Sequence, residues 1–285
     1  MSLVNVNELL EHATKHGYGV AAINTINYET IRCAIDAAEQ ERVPVIVQFF
    51  PGFDRYIPLS YISYMAKDLA KKAGVPAAVH LDHSASYEIA VSGIRDGFPS
   101  VMVDGSALPF EENIAVTAAV VKTASVFGVD VEAELGHVGN AGNAEDMENE
   151  DFLTNADQAA EFVERTGCGS LAIAVGNAHG NYVRRPNLDF ERIRRIRSAV
   201  KIPLVMHGGS GIPAEQLQKA VSLGMSKFNI ATEYFESMYR SMERVMDAGG
   251  HDGNGIALLF GMKKGMTDFV AGKMRLLNPE KYSIS

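Results

Sequence analysis

The chain has 285 residues, 47% of them hydrophobic, and a formal charge of −9 from 35 acidic and 26 basic side chains. That length and apolar content suit one large core, and an eight-stranded β/α barrel needs about 250 residues. The acidic balance and the lack of a basic block argue against a nucleic-acid partner. The lack of a long apolar run or a signal-type N-terminus argues against a membrane and for a cytoplasmic location.

Strand candidates recur at near-regular intervals: 19–23, 43–49, 77–81, 100–103, 130–134, 171–175, 204–206 and 227–230. Most are continuously apolar, as strands of a parallel sheet covered on both faces are. Helical stretches at 28–41, 59–73, 111–127, 189–199 and 214–223 lie between them, with apolar residues three and four apart. Gly74, Gly97, Gly128, Gly167 and Gly224 follow helices, where a left-handed cap is useful, and Pro213 suits a first helical turn.

An open doubly wound sheet is the competing architecture, but Asn24-Thr25-Ile26-Asn27 after the first strand lacks its G-x-G-x-x-G turn. The expectation is therefore an α/β protein, a single-domain TIM (β/α)8 barrel over 1–285. The polar segment 136–157 follows strand five and reads as a candidate active-site lid. The glycine-rich segment 246–262 reads as a flexible connection. Cys33 and Cys168 lack metal-type spacing and read as buried thiols in a reducing compartment.

Three short motifs carry the chemistry. His80-Leu81-Asp82-His83, Ala178-His179-Gly180 and His207-Gly208-Gly209-Ser210-Gly211 each follow a short apolar run, 75–79, 171–175 and 202–206. Barrel strands deliver such positions to one cavity, so His83, His179 and His207 can meet at one metal ion. Taken singly, each histidine also reads as a hydrogen-bonded rim residue. His80 reads as a packing or supporting residue, and His137 and His251 rank lower as ligands. Asp82 can exchange a proton with a substrate oxygen, or else orient a metal-bound imidazole. Asp104, Glu132 and Glu134 at strand ends suit a functional site or a purely structural network.

The glycine-rich turn after strand seven, and Asn229-Ile230-Ala231-Thr232 after strand eight, fall where such barrels hold phosphate. Arg184 and Arg185 could help to hold an anion. The arginines at 192–197 read as the solvated face of a helix.

Taken in order and spacing, these motifs resemble the zinc-dependent class II aldolases for ketose bisphosphates, above all the fructose- and tagatose-bisphosphate group. Ser100 to Ser106, Val131 to Gly136 and Leu188-Asp189-Phe190 add to the resemblance, which runs from Asn5 to about Leu277.

The resemblance implies a lyase that reversibly cleaves a ketose 1,6-bisphosphate to dihydroxyacetone phosphate and an aldehyde such as glyceraldehyde 3-phosphate. It implies one Zn2+ per subunit on His83, His179 and His207, with Asp104 and Glu134 at a second or alternative metal position. Asn24, Gly180, Gly208, Gly209, Ser210, Asn229, Ile230, Ala231 and Thr232 would bind substrate, with a monovalent cation (Na+ or K+) near the phosphate. Asp82 would move the C4 hydroxyl proton. A lid acid, Glu145 or else Glu148 or Glu150, would protonate the carbon. A homodimer or homotetramer is expected.

The departures from the family pattern fall where the aldehyde would sit: a longer lid, the basic 181–186 segment and the aromatic Phe49-Phe50-Pro51-Gly52-Phe53. They keep a different sugar phosphate or aldehyde partner open as the alternative. A sugar-phosphate-binding oligomer without turnover is the non-enzymatic one.

Overall fold

Eight parallel strands follow one another around a closed barrel. They are β1 (Val20–Asn24), β2 (Val45–Phe49), β3 (Ala77–Ser84), β4 (Ser100–Val103), β5 (Asp130–Leu135), β6 (Ser170–Ile173), β7 (Leu204–Met206) and β8 (Met225–Ile230). Closure is through β8 and β1, with Val20 opposite Lys227 and Ile23 opposite Ile230. The computed structural model describes residues 2–143, 146, 149–249 and 253–284. The barrel expected from the repeating strand–helix pattern is thus the one observed.

The helices are α1 (Val6–His16), α2 (Tyr28–Glu41), α3 (Leu59–Lys72), α4 (Tyr87–Arg95), α5 (Phe110–Phe127), α6 (Ala156–Thr166), α7 (Phe190–Ala199), α8 (Ala214–Ser222), α9 (Thr232–Ala248) and α10 (Gly255–Leu277). Among the described residues, no helix is long and apolar enough to cross a membrane. Their starts follow local chemistry. Asn27 and Thr30 form a reciprocal capping box at α2, and Asn155 accepts from two backbone N–H groups at α6. Gly97, Gly128, Gly167 and Gly224 take the positive φ expected of them. Gly74 does not: α3 ends at Ala73 in extended backbone, and Gly74 N–H donates to Glu39 Oε1 instead.

Alternate residues of each strand divide the core. Outward-facing Ile23, Val47, Leu81, Val103 and Ile173 pack under the helices in the main apolar cluster. At the opening of the barrel where the strands begin, Val20, Ala22, Ile46 and Ala78 meet Val6, Leu9, Leu10 and Ala13 of α1 in a second cluster. Helix α1 therefore stoppers that end, which leaves the carboxyl ends of the strands as the open mouth.

The segment 246–262 is not a flexible connection through its length. Asn254 caps a helix that begins at Gly255 and runs to Leu277. Met262, Met266, Val270 and Met274, four apart, are all buried, and α10 packs against α2, α9 and β1. The glycine run reads locally as a linker, but this buried stripe decides the outcome.

Gly93 sits inside α4, where alanine normally favours a helix by about 1 kcal/mol. Here an added Cβ would collide with Leu81 Cδ2 on β3, a fully buried side chain. Packing should invert the sign, so Gly93→Ala is expected to lower stability by roughly 1–3 kcal/mol in urea denaturation. A gain in stability would contradict the close α4–β3 contact.

Candidate active site

The site starts with an irregularity in β3. Leu81 pairs with Val101 and Ser84 with Val103, and the register shifts between them. In a regular strand Asp82 and His83 would face opposite sides of the sheet. At the bulge His83 takes φ 47, a left-handed conformation that costs a non-glycine residue about 1 kcal/mol or more. The result is that both side chains line the same cavity.

His83, His179 and His207 come together as the sequence leads one to expect. One ring nitrogen from each lies within 4.8 Å of the others. The remaining nitrogen of each ring is held from outside. His83 Nδ1 meets Asp104 Oδ2 at 3.0 Å, His179 Nδ1 meets the Val138 carbonyl at 3.1 Å, and His207 Nε2 meets Glu132 Oε1 at 2.9 Å. Carbonyl and carboxylate oxygens only accept, so each outer nitrogen carries the hydrogen and each inner nitrogen turns a lone pair inward.

Two consequences follow. His179 Nε2 is buried without a hydrogen-bond partner. His83 Nε2 and His207 Nδ1 face each other at 2.8 Å, which requires something positive between them. Burial opposes charge on His83, but Asp82, Asp104 and Glu134 outweigh it and raise its pKa to about 9. Burial and the neighbouring His83 charge push His179 down to about 4 and His207 well below the ordinary imidazole range. One proton on His83 therefore occupies a position suited to a cation. The converging donor set fits a divalent ion with an open coordination position.

Asp104 and Glu134 stand beside the triad and, with His83, form a second convergent group. Glu134 Oε1 accepts from Val138 N–H at 3.1 Å, while Oε2 is buried and unpartnered. Burial and the Asp104 charge raise Glu134 to about 8.

Asp82 is buried and gripped by amides. Oδ2 accepts from Asn24 Nδ2 and Gln48 Nε2, and Oδ1 accepts from Asn229 Nδ2, each at 3.0 Å. Burial opposes its ionisation, but His83, His207 and Lys227 overcome that and hold its pKa below the usual carboxylate value. Deeper in the barrel, Glu132 bridges His207 and Lys227, whose Nζ lies 2.7 Å from Oε2.

The cavity at the barrel mouth has a volume of about 440 Å³. Asn24, Gly180, Gly208, Ser210, Asn229, Ala231 and Thr232 line it, seven of the nine expected substrate residues. Gly209 and Ile230 stand behind it: Gly209 N–H donates to the Asn229 carbonyl, and the Ile230 side chain lies in the core. Gly208 must be glycine, because it takes φ 60 and an added Cβ would strike the Ala178 backbone. Ser210 Oγ accepts from Glu233 N–H at 3.3 Å, joining the β7 loop to the first turn of α9. The positive end of that helix faces the cavity, an arrangement suited to an anion.

A family model described as class II fructose-bisphosphate aldolase matches residues 4–281. The chain belongs to the class II fructose-bisphosphate aldolase family. The Escherichia coli K12 protein YdjI, described as uncharacterized, is 44% identical over 235 residues, covering 82% of this chain and 84% of YdjI. The crystal structure of YdjI, there called an aldolase, gives a TM-score of 0.85 at 37% identity over 96% of this chain and 97% of the other. A Coccidioides immitis protein provisionally assigned as a fructose-1,6-biphosphate aldolase gives 0.84 at 32% identity, covering 96% of each chain. A Campylobacter jejuni fructose-bisphosphate aldolase shares the fold, with a TM-score of 0.82 at 23% identity over 97% of this chain and 96% of that one.

In this member of the family the segment 136–157 is anchored at both described ends. Ala141 N–H donates to the His179 carbonyl, His179 N–H donates to the Gly139 carbonyl, and Ala156 begins α6. The base of the segment thereby sets the orientation of His179. Glu145 and Glu148 lie outside the described residues, whereas Glu150 is exposed at the start of a 3-10 turn.

His137 lines the cavity rim but is not part of the triad, and His251 lies outside the described residues. Arg185 pairs with Glu215 on the surface, and neither it nor Arg184 lines the cavity. Gln48 and Tyr182 escaped the sequence reading. Tyr182 Oη accepts from Ala178 N–H and donates to the Gly208 carbonyl, bracing two of the histidine loops. No motif marks either residue, since an isolated Gln or Tyr gains a role only from its neighbours.

His83 is protonated at pH 7 in the metal-free protein and must be neutral to coordinate an ion. Zinc uptake should release at least one proton per ion at pH 7, fading as pH rises past about 9. Calorimetry in buffers of different ionisation enthalpy reads this directly. His179→Ala, which removes one of the three converging nitrogens, should take up much less zinc than the unmodified protein when both are loaded and read by elemental analysis. Uptake without proton release, or full zinc content in that variant, would count against the triad.

Proposed function

We propose that this chain is a zinc-dependent aldolase that reversibly cleaves a ketose 1-phosphate to dihydroxyacetone phosphate and an aldehyde. Fructose and tagatose 1,6-bisphosphate, the substrates implied by the family resemblance, are members of that class. The observation that carries the reading is the convergence of three inward ring nitrogens beside the ionised Asp82. Zinc is the ion of choice because three imidazoles and an open position suit its tetrahedral coordination. Bound there, it supplies a Lewis acid that draws charge from the ketose oxygens as the carbon–carbon bond breaks.

The chain's own residues supply the rest. Three amide donors fix Asp82, and the neighbouring His83, His207 and Lys227 keep it ionised, with carboxylate capacity left toward the cavity. In cleavage it takes the proton from the hydroxyl on the carbon that becomes the aldehyde, and in synthesis it returns it. Asn229 Oδ1, buried and unpartnered, is an acceptor for a substrate hydroxyl. Gly208, Ser210, Thr232 and the start of α9 hold the phosphate of the three-carbon half. Glu145 is our choice for the acid that moves the carbon proton.

Asp82→Asn should lower kcat in both directions by roughly 10²–10⁴-fold while zinc content stays near one ion per chain. Near-normal turnover would remove Asp82 from the chemistry. Among alanine variants of Glu145, Glu148 and Glu150, only the first should abolish exchange of the dihydroxyacetone phosphate carbon hydrogen with deuterated water. Survival of exchange in Glu145→Ala would move that role to another acid.

A further inference from the structure

The two sides of the cavity differ in kind. One side is the glycine-rich loop after β7 and the start of α9. The other is the turn after β2, whose Phe50 and Phe53 present phenyl rings that reach Phe235 on the first turn of α9. Phe50 stands edge-on to His83 with ring centroids 6.4 Å apart. Phe50 and Phe53 are 5.4 Å apart, and Phe53 and Phe235 are 6.2 Å apart. The three rings form a continuous surface from the histidine cluster to the first turn of α9. Phe50 and Phe53 remain 38% and 36% exposed on the turn after β2. Aromatic surface left facing water beside a polar centre is a contact surface awaiting carbon.

The charges agree with that reading. Apart from the histidines, the ionisable side chains lining the cavity are Asp82 and Asp104, and no lysine or arginine lines it among the described residues. Arg240 lies in an adjoining groove and pairs with Glu236 at 3.4 Å. A phosphate calls for a guanidinium, an ammonium or a cluster of N–H donors. The β7 loop and α9 offer one such cradle. A second phosphate, on the aldehyde, would lie against phenyl rings and near Asp104, unpaired and repelled.

Given the aldolase reading above, on which this rests, we infer that the aldehyde half of the substrate carries no phosphate, and that Phe50, Phe53 and Phe235 hold it by its carbon–hydrogen face. The bond that forms joins C3 of dihydroxyacetone phosphate to the aldehyde carbonyl carbon. C3 gives up one proton and the former carbonyl oxygen gains one, so no further reactant is consumed. The substrate class narrows from ketose 1-phosphates in general to those without a second phosphate, which excludes the 1,6-bisphosphates.

The test uses the zinc-loaded full chain in two stages. Dihydroxyacetone phosphate alone in deuterated water reports the aldolase reading without any aldehyde. Exchange at C3 is expected, and its absence would overturn that reading and this inference with it. D-Glyceraldehyde, butanal and glyceraldehyde 3-phosphate are then each condensed with dihydroxyacetone phosphate. An unphosphorylated aldehyde should exceed glyceraldehyde 3-phosphate in kcat/KM by about tenfold or more.

Phe53→Arg, which adds a cation to the wall, should shift that ratio toward glyceraldehyde 3-phosphate by about tenfold. Phe50→Ala should raise KM for the unphosphorylated aldehyde. Exchange at C3 combined with equal or better use of glyceraldehyde 3-phosphate by the unmodified protein would overturn the inference and leave the aldolase reading standing.

Discussion

Three imidazole lone pairs aimed at one another form an arrangement that is unfavourable by itself, and the rest of the barrel mouth is organised to maintain it. Each ring is fixed by an acceptor on its outer nitrogen, supplied by the residue just after β4, by β5 or by the segment that follows β5. Those acceptors determine the tautomers, and the tautomers determine where the lone pairs point. A buried unpartnered nitrogen on His179 and two nitrogens facing each other at 2.8 Å are tolerable only where positive charge belongs.

Support for this cluster extends down the axis. The barrel interior changes along the strands from the apolar layer against α1 to a polar layer containing His80, Glu132 and Lys227. Buried charges of this kind are costly unless paired and hydrogen-bonded. Glu132 meets both conditions by bridging Lys227 and His207, so the charge pair that fills the middle of the barrel also orients a ligand above it. Asp82 is held in the same manner by Asn24, Gln48 and Asn229, from three different strands. Stability and site geometry therefore rest on the same hydrogen bonds.

The same economy divides the mouth into two sides. Loops after β7 and β8 present backbone N–H groups and a helix end, whereas the turn after β2 presents phenyl rings. A ligand with one anionic end and one carbon-rich end matches that division. The histidines and Asp82 stand between the two halves, where bond cleavage would occur.

The strand–helix repeat, the three histidines after separate strands and the glycine-rich turn were legible in the chain, because period, spacing and residue type are local properties. Those properties led to the closed barrel and to His83, His179 and His207 in one cluster. They misread 246–262, where a glycine run outweighed the buried stripe of α10, and Gly74, where the helix ends one residue earlier.

What only the tertiary structure decided is direction. Asp82 and His83 face the same cavity because β3 bulges under cross-strand pairing, an outcome that strand alternation alone would forbid. Gln48, Glu132, Lys227 and Tyr182 acquire their roles from partners 20 or more residues away or across a loop. The side-chain types were written along the chain, but the orientation of each donor depends on neighbours that only barrel closure brings within reach.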